Sequence, residues 1–424
     1  MLEIVQGDNI KLSRTILDNG EEYEDTVKNI LKEVRLKGDE ALFQFTKKFD
    51  QVEIDYLKVT AEEIDEAYAF VPDEVVAAIQ KATKNIKSYH EQQKRQSWVD
   101  TKPSGTILGQ LIRPLNRVGI YVPGGRAAYP SSVLMNAIPA QVAGVKEIVM
   151  ISPPNKEGKL NPGVLVAANE LGITEIYKVG GAQGIAALAY GTETIQKVDK
   201  ITGPGNIYVA LAKKEVFGFV DIDMVAGPSE IVVLADEHAN PEYVAADLLS
   251  QAEHDPLSAA LLITDSKALD ETVQREVKIQ LENLERREIA AASLKNNGKI
   301  YVVSTLEKGI ELINDYAPEH LEVMVDDPFS YVGKIKNAGA IFLGKYSAEV
   351  VGDYFAGPNH ILPTGGTAAF SSPLNVDDFL KKTSLISYSK ADLEENGELI
   401  QAFANYEQLQ AHANAIKVRM KKEK

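Results

Sequence analysis

The middle of the chain constrains the fold most strongly, because short apolar runs alternate there with stretches of helical periodicity. Helical segments are predicted at residues 131–143 and 162–171, between the first three apolar runs. An alternation of strands and helices is typical of a parallel sheet with right-handed crossovers. The runs predicted as strands are residues 117–122, 147–152, 175–181, 200–203 and 230–235.

A similar pattern returns in the second half of the chain. A buried strand is predicted at residues 259–264, with a long helix after it, and further strands are predicted at 299–303 and 340–343. Residues 22–95 and the residues from 376 onward have mostly helical spacing. We therefore predict an α/β fold of two Rossmann-like parallel-sheet domains with helical N-terminal and C-terminal extensions.

One helix of the N-terminal part is predicted in some detail. The segment 73–94 is long and amphipathic, with charged residues along one face. His90 falls on the polar side of this pattern, so we expect its side chain at the surface.

Composition and charge exclude several classes of protein. The 424 residues are 45% hydrophobic and 25% charged, which is ordinary for a globular protein. No apolar run approaches the roughly 18 residues of a membrane helix, and the first residues lack the pattern of a signal peptide. The net charge of -16 leaves no basic surplus to neutralise phosphates. We expect a cytoplasmic protein that binds neither nucleic acid nor a membrane.

The chain contains no cysteine. Disulfides, thiolate metal sites and cysteine nucleophiles are therefore impossible. A transition-metal site in this protein must use histidine, carboxylate and amide ligands. The histidines available for such a site are His90, His238, His254, His320, His360 and His412.

The segment 248–256 contains a candidate pair of metal ligands. Asn240 and Pro241 predict a helix start, and an apolar rhythm then continues to Ala252. Gln251 and His254 are three residues apart, which places them on one face of a helix. Such a pair could hold a metal, and the same spacing also fits a partly buried histidine that bonds to a neighbour.

Three predicted strand ends carry closely spaced glycines, in segments 121–125, 179–184 and 202–206. Glycine at a strand-to-helix turn lets backbone N–H groups approach a phosphate. None of the three matches the G-x-G-x-x-G fingerprint, and each alone is more typical of a tight structural turn. Because all three fall at carboxyl ends of strands in one predicted sheet, together they favour a dinucleotide or similar anionic cofactor.

Polar residues cluster at three later positions. Glu319 and His320 follow Pro318, and a turn there would let both side chains reach one substrate for acid–base work; a surface pair fits the same residues. Asp353 is a candidate hard metal ligand in a polar, loop-like segment. Glu407 and His412 would lie about 140° apart on one helix, so they can share a site only if the chain bends between them.

The order of these motifs resembles that of the histidinol dehydrogenases over essentially the whole chain. The similar blocks are Tyr-Val-Pro-Gly-Gly, Gly-Gly-Ala-Gln, Gly-Pro-Gly-Asn, Ala-Gly-Pro-Ser-Glu, Leu-Leu-Ser-Gln-Ala-Glu-His, Pro-Glu-His-Leu, Gly-Asp-Tyr and a late Ala-His. The family usually has Gly-Thr-Asn-His where this chain has Gly-Pro-Asn-His at 357–360, a departure that touches no expected ligand.

The resemblance implies a zinc-containing, NAD-dependent oxidation of L-histidinol through L-histidinaldehyde to L-histidine, the last step of histidine biosynthesis. It also implies a homodimer whose active site is shared between subunits. The implied zinc ligands are Gln251, His254, Asp353 and, from the partner subunit, His412. The implied acid–base pair is Glu319 and His320. The implied NAD contacts are Tyr121, Gln183 and Asn206. The implied substrate contacts are Ser229, Gln251, His254, His320, Asp353, Glu407 and His412.

From the pattern and the resemblance together we expect four parts. These are an N-terminal extension (1–20), a first α/β domain with the zinc and acid–base residues (21–115 with 237–375), an NAD-binding α/β domain (116–236) and a helical dimerisation tail (376–424). Other readings stay open at this point: a zinc hydrolase, a non-catalytic ligand-binding relative, and an NAD-dependent dehydrogenase of another small amino alcohol.

Overall fold

The computed structural model is an α/β protein, as the alternation of strands and helices predicts, and it describes residues 2–8, 10, 12, 14, 20–124 and 129–421. Gly125, the last residue of the first glycine motif, lies outside the described residues. The strands are β1 (Glu3–Gln6), β2 (Trp98–Thr101), β3 (Ile107–Pro114), β4 (Arg117–Tyr121), β5 (Glu147–Ser152), β6 (Glu175–Lys178), β7 (Lys200–Thr202), β8 (Asp221–Ile222), β9 (Glu230–Ala235), β10 (Ala259–Thr264), β11 (Lys299–Val302), β12 (His320–Met324), β13 (Ala340–Leu343) and β14 (Leu380–Ser387).

The helices lie between these strands as crossovers, and before and after them as extensions. They are α1 (Gly20–Lys37), α2 (Asp39–Phe45), α3 (Ala61–Tyr68), α4 (Asp73–Glu91), α5 (Pro130–Ala143), α6 (Pro162–Glu170), α7 (Gly181–Tyr190), α8 (Ile207–Val216), α9 (Pro241–Ala252), α10 (Lys267–Leu281), α11 (Arg287–Asn297), α12 (Leu306–Tyr316), α13 (Phe329–Val332), α14 (Glu349–Tyr354), α15 (Lys390–Tyr406) and α16 (Gln410–Arg419). A short π-helical turn, Thr46–Asp50, follows α2.

The larger sheet has six strands, all parallel, in the order β1-β11-β10-β9-β12-β13. Its central strand β9 is buried along its whole length. Ile231 and Val233 face one hydrophobic core, whereas Val232 and Leu234 face another on the opposite side. A strand covered on both faces needs apolar residues at every position, which explains the unbroken apolar run in the sequence.

The second parallel sheet has the order β6-β5-β4-β7-β8. In chain order, β4 is the first strand of this sheet. β5 and β6 then follow on one side of β4, and β7 and β8 follow on the other side. The strand order therefore reverses between β4 and β7. In open α/β sheets, ligands bind at the carboxyl ends of the strands next to such a reversal.

The expected domain limits differ from this packing in two places. β9, which we expected in the 116–236 domain, pairs instead with β10 and β12 through parallel backbone hydrogen bonds. The N-terminal helices, expected with residues 237–375, pack on the five-stranded sheet's helices. In particular, Val27 and Ile30 of α1 share a core with Ile185 of α7. These domain limits depend on the packing of apolar faces that are distant in the sequence, and local periodicity does not reveal that packing.

A second compact unit contains residues 94–115 and 380–421. Its antiparallel sheet has the order β14-β3-β2, and α15 and α16 complete it. The expectation of a wholly helical tail from residue 376 is therefore wrong for Leu380–Ser387, which form β14. The backbone of β14 pairs with all eight residues of β3, and this pairing overrides a weak local pattern.

The expectation that His90 lies at the surface is also wrong. His90 is completely buried on α4, in line with Ile79, Ala82 and Ile86 on the same helix face. Its Nδ1 lies 2.8 Å from Oε1 of Gln93. A buried polar group needs such a partner, and burial lowers the pKa of His90 despite this hydrogen bond.

We predict that His90 makes the protein less stable at acid pH. The unfolded chain takes up a proton at His90 near pH ~6.5, whereas the folded chain does so only at lower pH. Stability therefore falls as the pH drops below about 6.5. In the His90→Gln variant the thermal midpoint should change less between about pH 8 and pH 5.5 than in the wild type.

His238→Gln is the matched control, because the His238 side chain is 66% exposed. This variant should retain the full pH dependence of the wild type. An equal pH dependence in wild type and His90→Gln would show that His90 titrates normally.

Candidate functional site

A cavity of about 710 Å³ opens where the two parallel sheets face each other. The five-stranded sheet contributes its carboxyl edge, with Tyr121 at the end of β4 and the turn that follows β7. The six-stranded sheet contributes its amino edge, with Ser229 just before β9 and His320 at the start of β12. Short loops at both edges thus bring distant residues together.

Glu319 and His320 lie in this cavity at a turn, as the sequence predicts. Helix α12 ends at Tyr316, the capping residue Ala317 turns the chain with a positive φ of 50°, and Pro318 leads into β12. Both side chains are buried. Oε2 of Glu319 and Nδ1 of His320 are 3.7 Å apart. The turn therefore delivers an acid and a base to one place.

The backbone of a single residue holds both side chains. The N–H of Glu230 donates to Oε2 of Glu319 at 2.8 Å. Nδ1–H of His320 donates to the carbonyl oxygen of Glu230 at 3.1 Å. Because Nδ1 is engaged there, Nε2 is the nitrogen of His320 that is free to exchange a proton. Sequence reasoning missed Glu230, although it closes the Ala-Gly-Pro-Ser-Glu block.

The side chain of Glu230 is itself fixed by Arg14. The Arg14 guanidinium contacts both Glu230 carboxylate oxygens and donates from Nη2 to the carbonyl oxygen of Tyr316 at 2.7 Å. It also lies 3.9 Å from the centre of the Tyr316 ring. A forked cation of this kind constrains both position and angle. Arg14 thus supports the residue on which Glu319 and His320 rest.

The pKa values of Glu319 and His320 are both shifted in this buried site. Burial raises the pKa of Glu319 to about 8, although the neighbouring His320 opposes the shift. Burial alone would lower the pKa of His320, but the carboxylates of Glu349, Glu319 and Asp353 reverse the effect and raise it well above its usual value. The site therefore holds several ionisable groups whose charges depend on one another.

Three side chains around His320 could bind a metal. Ligand atoms of His254, Glu349 and Asp353 all lie within 4.8 Å of one another. Nearby Gln251 is completely buried, and neither Oε1 nor Nε2 has a hydrogen-bond partner among the described residues. An imidazole and carboxylates, with an orphaned buried amide three residues before the imidazole, fit zinc, which accepts nitrogen and oxygen ligands.

Glu349 is a candidate ligand that sequence reasoning missed. It lies four residues before Asp353 on α14, so the two carboxylates share one helix face. That spacing was visible in the sequence. Oε1 of Glu349 lies 3.8 Å from Nε2 of His320, so Glu349 connects the candidate metal cluster to the acid–base pair.

We expected Gln251 and His254 to lie on one face of a helix, but they do not. The helix begins at the predicted cap, where Asn240 accepts from the N–H of Glu242, but it ends at Ala252. His254 lies in the following turn, and its N–H donates to the carbonyl oxygen of Gln251 at 3.3 Å. The end of the helix before Pro256 explains the difference, and the turn still keeps the two residues close.

A second cavity of about 760 Å³ adjoins the first at the carboxyl edge of the five-stranded sheet. It contains Gln183, whereas Tyr121 and Asn206 line both cavities. Tyr121 is buried, and its hydroxyl accepts from the N–H of Gly181 at 3.3 Å. Asn206 caps α8 by accepting from the N–H groups of Tyr208 and Val209. The three expected NAD contacts thus lie at one sheet edge.

Glu407 and His412 belong to the second compact unit. Helix α15 ends just before Glu407, Gln408 has a positive φ of 62°, and α16 begins at Gln410. The chain therefore bends between the two residues, which the sequence requires if they are to share a site. Both side chains are exposed within this unit, and their place in the site stays a prediction.

Comparison with known proteins agrees with the resemblance seen in the sequence. The family model described as histidinol dehydrogenase matches residues 13–420. Histidinol dehydrogenases of Halalkalibacterium halodurans and Geobacillus kaustophilus are each 60% identical to this chain, over 98% and 99% of both sequences respectively. The crystal structure of the enzyme from Elizabethkingia anophelis superimposes with a TM-score of 0.91 at 40% identity, covering 99% of this chain and 98% of that one.

The chain belongs to the histidinol dehydrogenase family. It is therefore an oxidoreductase with histidinol dehydrogenase function, which implies a role in histidine biosynthesis. Among the described residues, no helix is both long and apolar enough to cross a membrane.

We predict that Arg14 supports histidinol dehydrogenase activity without touching the substrate. Arg14→Gln removes the fork that fixes Glu230, so Glu319 and His320 lose their defined positions. The kcat should fall by about tenfold to a hundredfold, as expected when catalytic groups are misplaced. Steady-state kinetics with histidinol would measure the change. Arg275→Gln, an exposed change on α10, is the control, and wild-type kcat in Arg14→Gln would refute the role.

Proposed function

We propose that this protein is a zinc-containing enzyme that catalyses the NAD-dependent, four-electron oxidation of L-histidinol through L-histidinaldehyde to L-histidine. The observation that carries the proposal is the placement of the buried Glu319–His320 pair. It lies beside the candidate metal cluster, in a cavity that adjoins a dinucleotide-type sheet edge. This placement favours a dehydrogenase over a hydrolase, which needs no nucleotide site.

Zinc would be held by Gln251, His254 and Asp353, with His412 of the partner subunit as the expected fourth ligand. When bound, zinc would hold the imidazole and amine of histidinol and so orient the reacting carbon. Glu407 of the same tail and Ser229 in the cavity are the further substrate contacts that we expect. We infer a homodimer, because His412 of the partner subunit would complete the ligands of the zinc.

His320 is suited to the first oxidation. As hydride leaves the alcohol carbon for NAD, the hydroxyl proton must go to a base. Nε2 of His320 lies 3.8 Å from a carboxylate oxygen of Asp353 and 3.8 Å from one of Glu349, whereas Nδ1 is held on Glu230. In its neutral form His320 takes this proton at Nε2, and the aldehyde and the first NADH result. Because the pKa of His320 is raised, this form requires alkaline pH.

Glu319 is suited to the second oxidation. An aldehyde must gain a water molecule before it can lose a second hydride. Many aldehyde-oxidising enzymes add a cysteine thiolate to the carbonyl instead, but this chain has no cysteine. Because the pKa of buried Glu319 is raised to about 8, its carboxyl group ionises at alkaline pH, and in that form it is suited to take the proton from the attacking water. After it has released the first proton to solvent, His320 serves again as base while the second NADH forms.

We predict that Glu319→Gln separates the two oxidations. Glutamine keeps an oxygen to accept from the N–H of Glu230, so the local geometry should survive. Conversion of added histidinaldehyde to histidine should fall by a factor of about 100 or more. A trapping reagent should reveal aldehyde formed from histidinol. Full aldehyde-to-acid turnover in this variant would show that another group activates water.

We also predict that zinc content and activity depend on the same residues. His254→Ala and Asp353→Asn should each lower the zinc bound per chain, measured by elemental analysis, and should lower activity in parallel. His238→Ala, a change at an exposed histidine, should retain both. Intact zinc in both ligand variants would overturn this metal site.

A further inference from the structure

We propose that Glu322 positions the metal ligands: it holds the start of α14 beside α9, so that Asp353 and Gln251 keep the separation that one metal ion requires. This inference rests on the zinc site proposed above, and it adds a residue outside the expected ligands and substrate contacts. Glu322 is buried in β12 and lines neither of the two cavities. It therefore acts through the residues that it contacts.

The first contact of Glu322 is with the start of α14. Residues two apart on a strand share a face, so Glu322 lies on the same face of β12 as His320. Both reach Glu349: Nε2 of His320 lies 3.8 Å from Oε1 of Glu349, and Oε1 of Glu322 accepts from the N–H of Glu349 at 2.7 Å. Glu349 is the first residue of α14. This hydrogen bond therefore fixes the start of the helix that carries Asp353.

The second contact of Glu322 is with Asp247 of α9. The two carboxyl side chains form a hydrogen bond with each other, which requires that one of them holds a proton. Burial, and then the charge of Asp247, raise the pKa of Glu322 well above its usual value, so Glu322 is the group that holds it. Oε2 of Glu322 is buried and accepts no hydrogen bond from a described N–H or O–H group, as suits an oxygen that carries the shared proton.

Each contact lies about one helical turn before an expected metal ligand. Asp247 precedes Gln251 by four residues on α9. Glu349 precedes Asp353 by four residues on α14. Residues four apart share a helix face, so on each helix the residue that contacts Glu322 and the ligand are neighbours. Glu322 thus bridges the two helices next to the metal cluster without belonging to it.

Ser250 provides another link between the same helices, and it is the weaker one. Its Oγ lies 3.4 Å from Oε2 of Glu349 but only 2.9 Å from the carbonyl oxygen of Asp247. A hydroxyl has one proton to donate, and the shorter bond within α9 uses it. Glu322 is therefore the stronger of these two connections between α9 and α14.

The cost of burying these groups indicates a role beyond stability. Carboxyl groups lose free energy of hydration on burial, and replacing buried charged pairs by apolar residues of similar volume is often neutral or stabilising. An apolar side chain cannot hold a backbone N–H and a second carboxyl group at set distances. Residues that orient metal ligands in this way typically change metal affinity by roughly 10- to 100-fold.

The test measures the zinc dissociation constant of the full-length protein by competition with a chelator. Glu322→Leu removes both hydrogen bonds, so the dissociation constant should rise by about 10- to 100-fold. Glu322→Gln keeps an oxygen to accept from the N–H of Glu349 and supplies an N–H to Asp247. Its dissociation constant should therefore stay close to that of the wild type.

Asp270→Leu is the matched control. Asp270 is another buried acid, and its carboxylate accepts from Nε2 of Gln274 at 2.8 Å. Its helix, α10, follows the carboxyl end of β10, whereas His254 precedes the amino end of that strand. This variant should have a lower thermal midpoint, but it should bind zinc as tightly as the wild type.

Asp247→Ala tests the same bridge from α9, and it replaces Glu322→Leu if that variant does not fold. It removes one of the two hydrogen bonds, so a rise of about tenfold in the dissociation constant is expected. A wild type that binds no zinc would refute the metal site proposed above. Wild-type zinc affinity in folded Glu322→Leu or Asp247→Ala, or equally weak binding in Glu322→Gln and Glu322→Leu, would refute this inference alone.

Discussion

The site depends on the peptide groups of Glu230. Its N–H binds Glu319 and its carbonyl binds His320, so one rigid residue at the start of β9 sets the distance between an acid and a base. Buried ionisable groups are costly unless their hydrogen bonds are satisfied. Here the central strand of the six-stranded sheet provides that satisfaction, and Arg14 fixes the side chain of the same residue. The position of β9 in the sheet therefore also determines the positions of the Glu319 and His320 side chains.

The two sheets contribute different ends of their strands to the site. The five-stranded sheet offers its carboxyl edge, where glycine-bearing turns and a reversal of strand order suit a dinucleotide. The six-stranded sheet offers its amino edge, where the short connections before β9, β10 and β12 carry Ser229, His254 and Glu319. In the proposed reaction a hydride passes directly from substrate to cofactor, and two sheet edges that line adjoining cavities suit this transfer.

Much of this arrangement could be predicted from the sequence. The strand–helix alternation predicts both parallel sheets, the Asn240–Pro241 start of α9 is confirmed, and Glu319 and His320 do meet at a turn. The predictions that were wrong concern residues whose structure depends on contacts with distant parts of the sequence. β14 forms because β3 lies beside it, and His90 is buried because the apolar face of α4 extends further than its local pattern suggests. Arg14 and Glu230 could not be linked from the sequence, since 216 positions separate them. Glu349 was within reach, because its spacing from Asp353 is helical.

In the proposed mechanism, a chain without cysteine oxidises an alcohol to a carboxylic acid through added water. The most direct measurement is the stoichiometry of wild-type turnover with limiting histidinol in ¹⁸O-labelled water. The account predicts two NADH for each histidinol consumed, with histidine as product and one labelled oxygen in its carboxylate. One NADH for each histidinol, with histidinaldehyde accumulating, would contradict it.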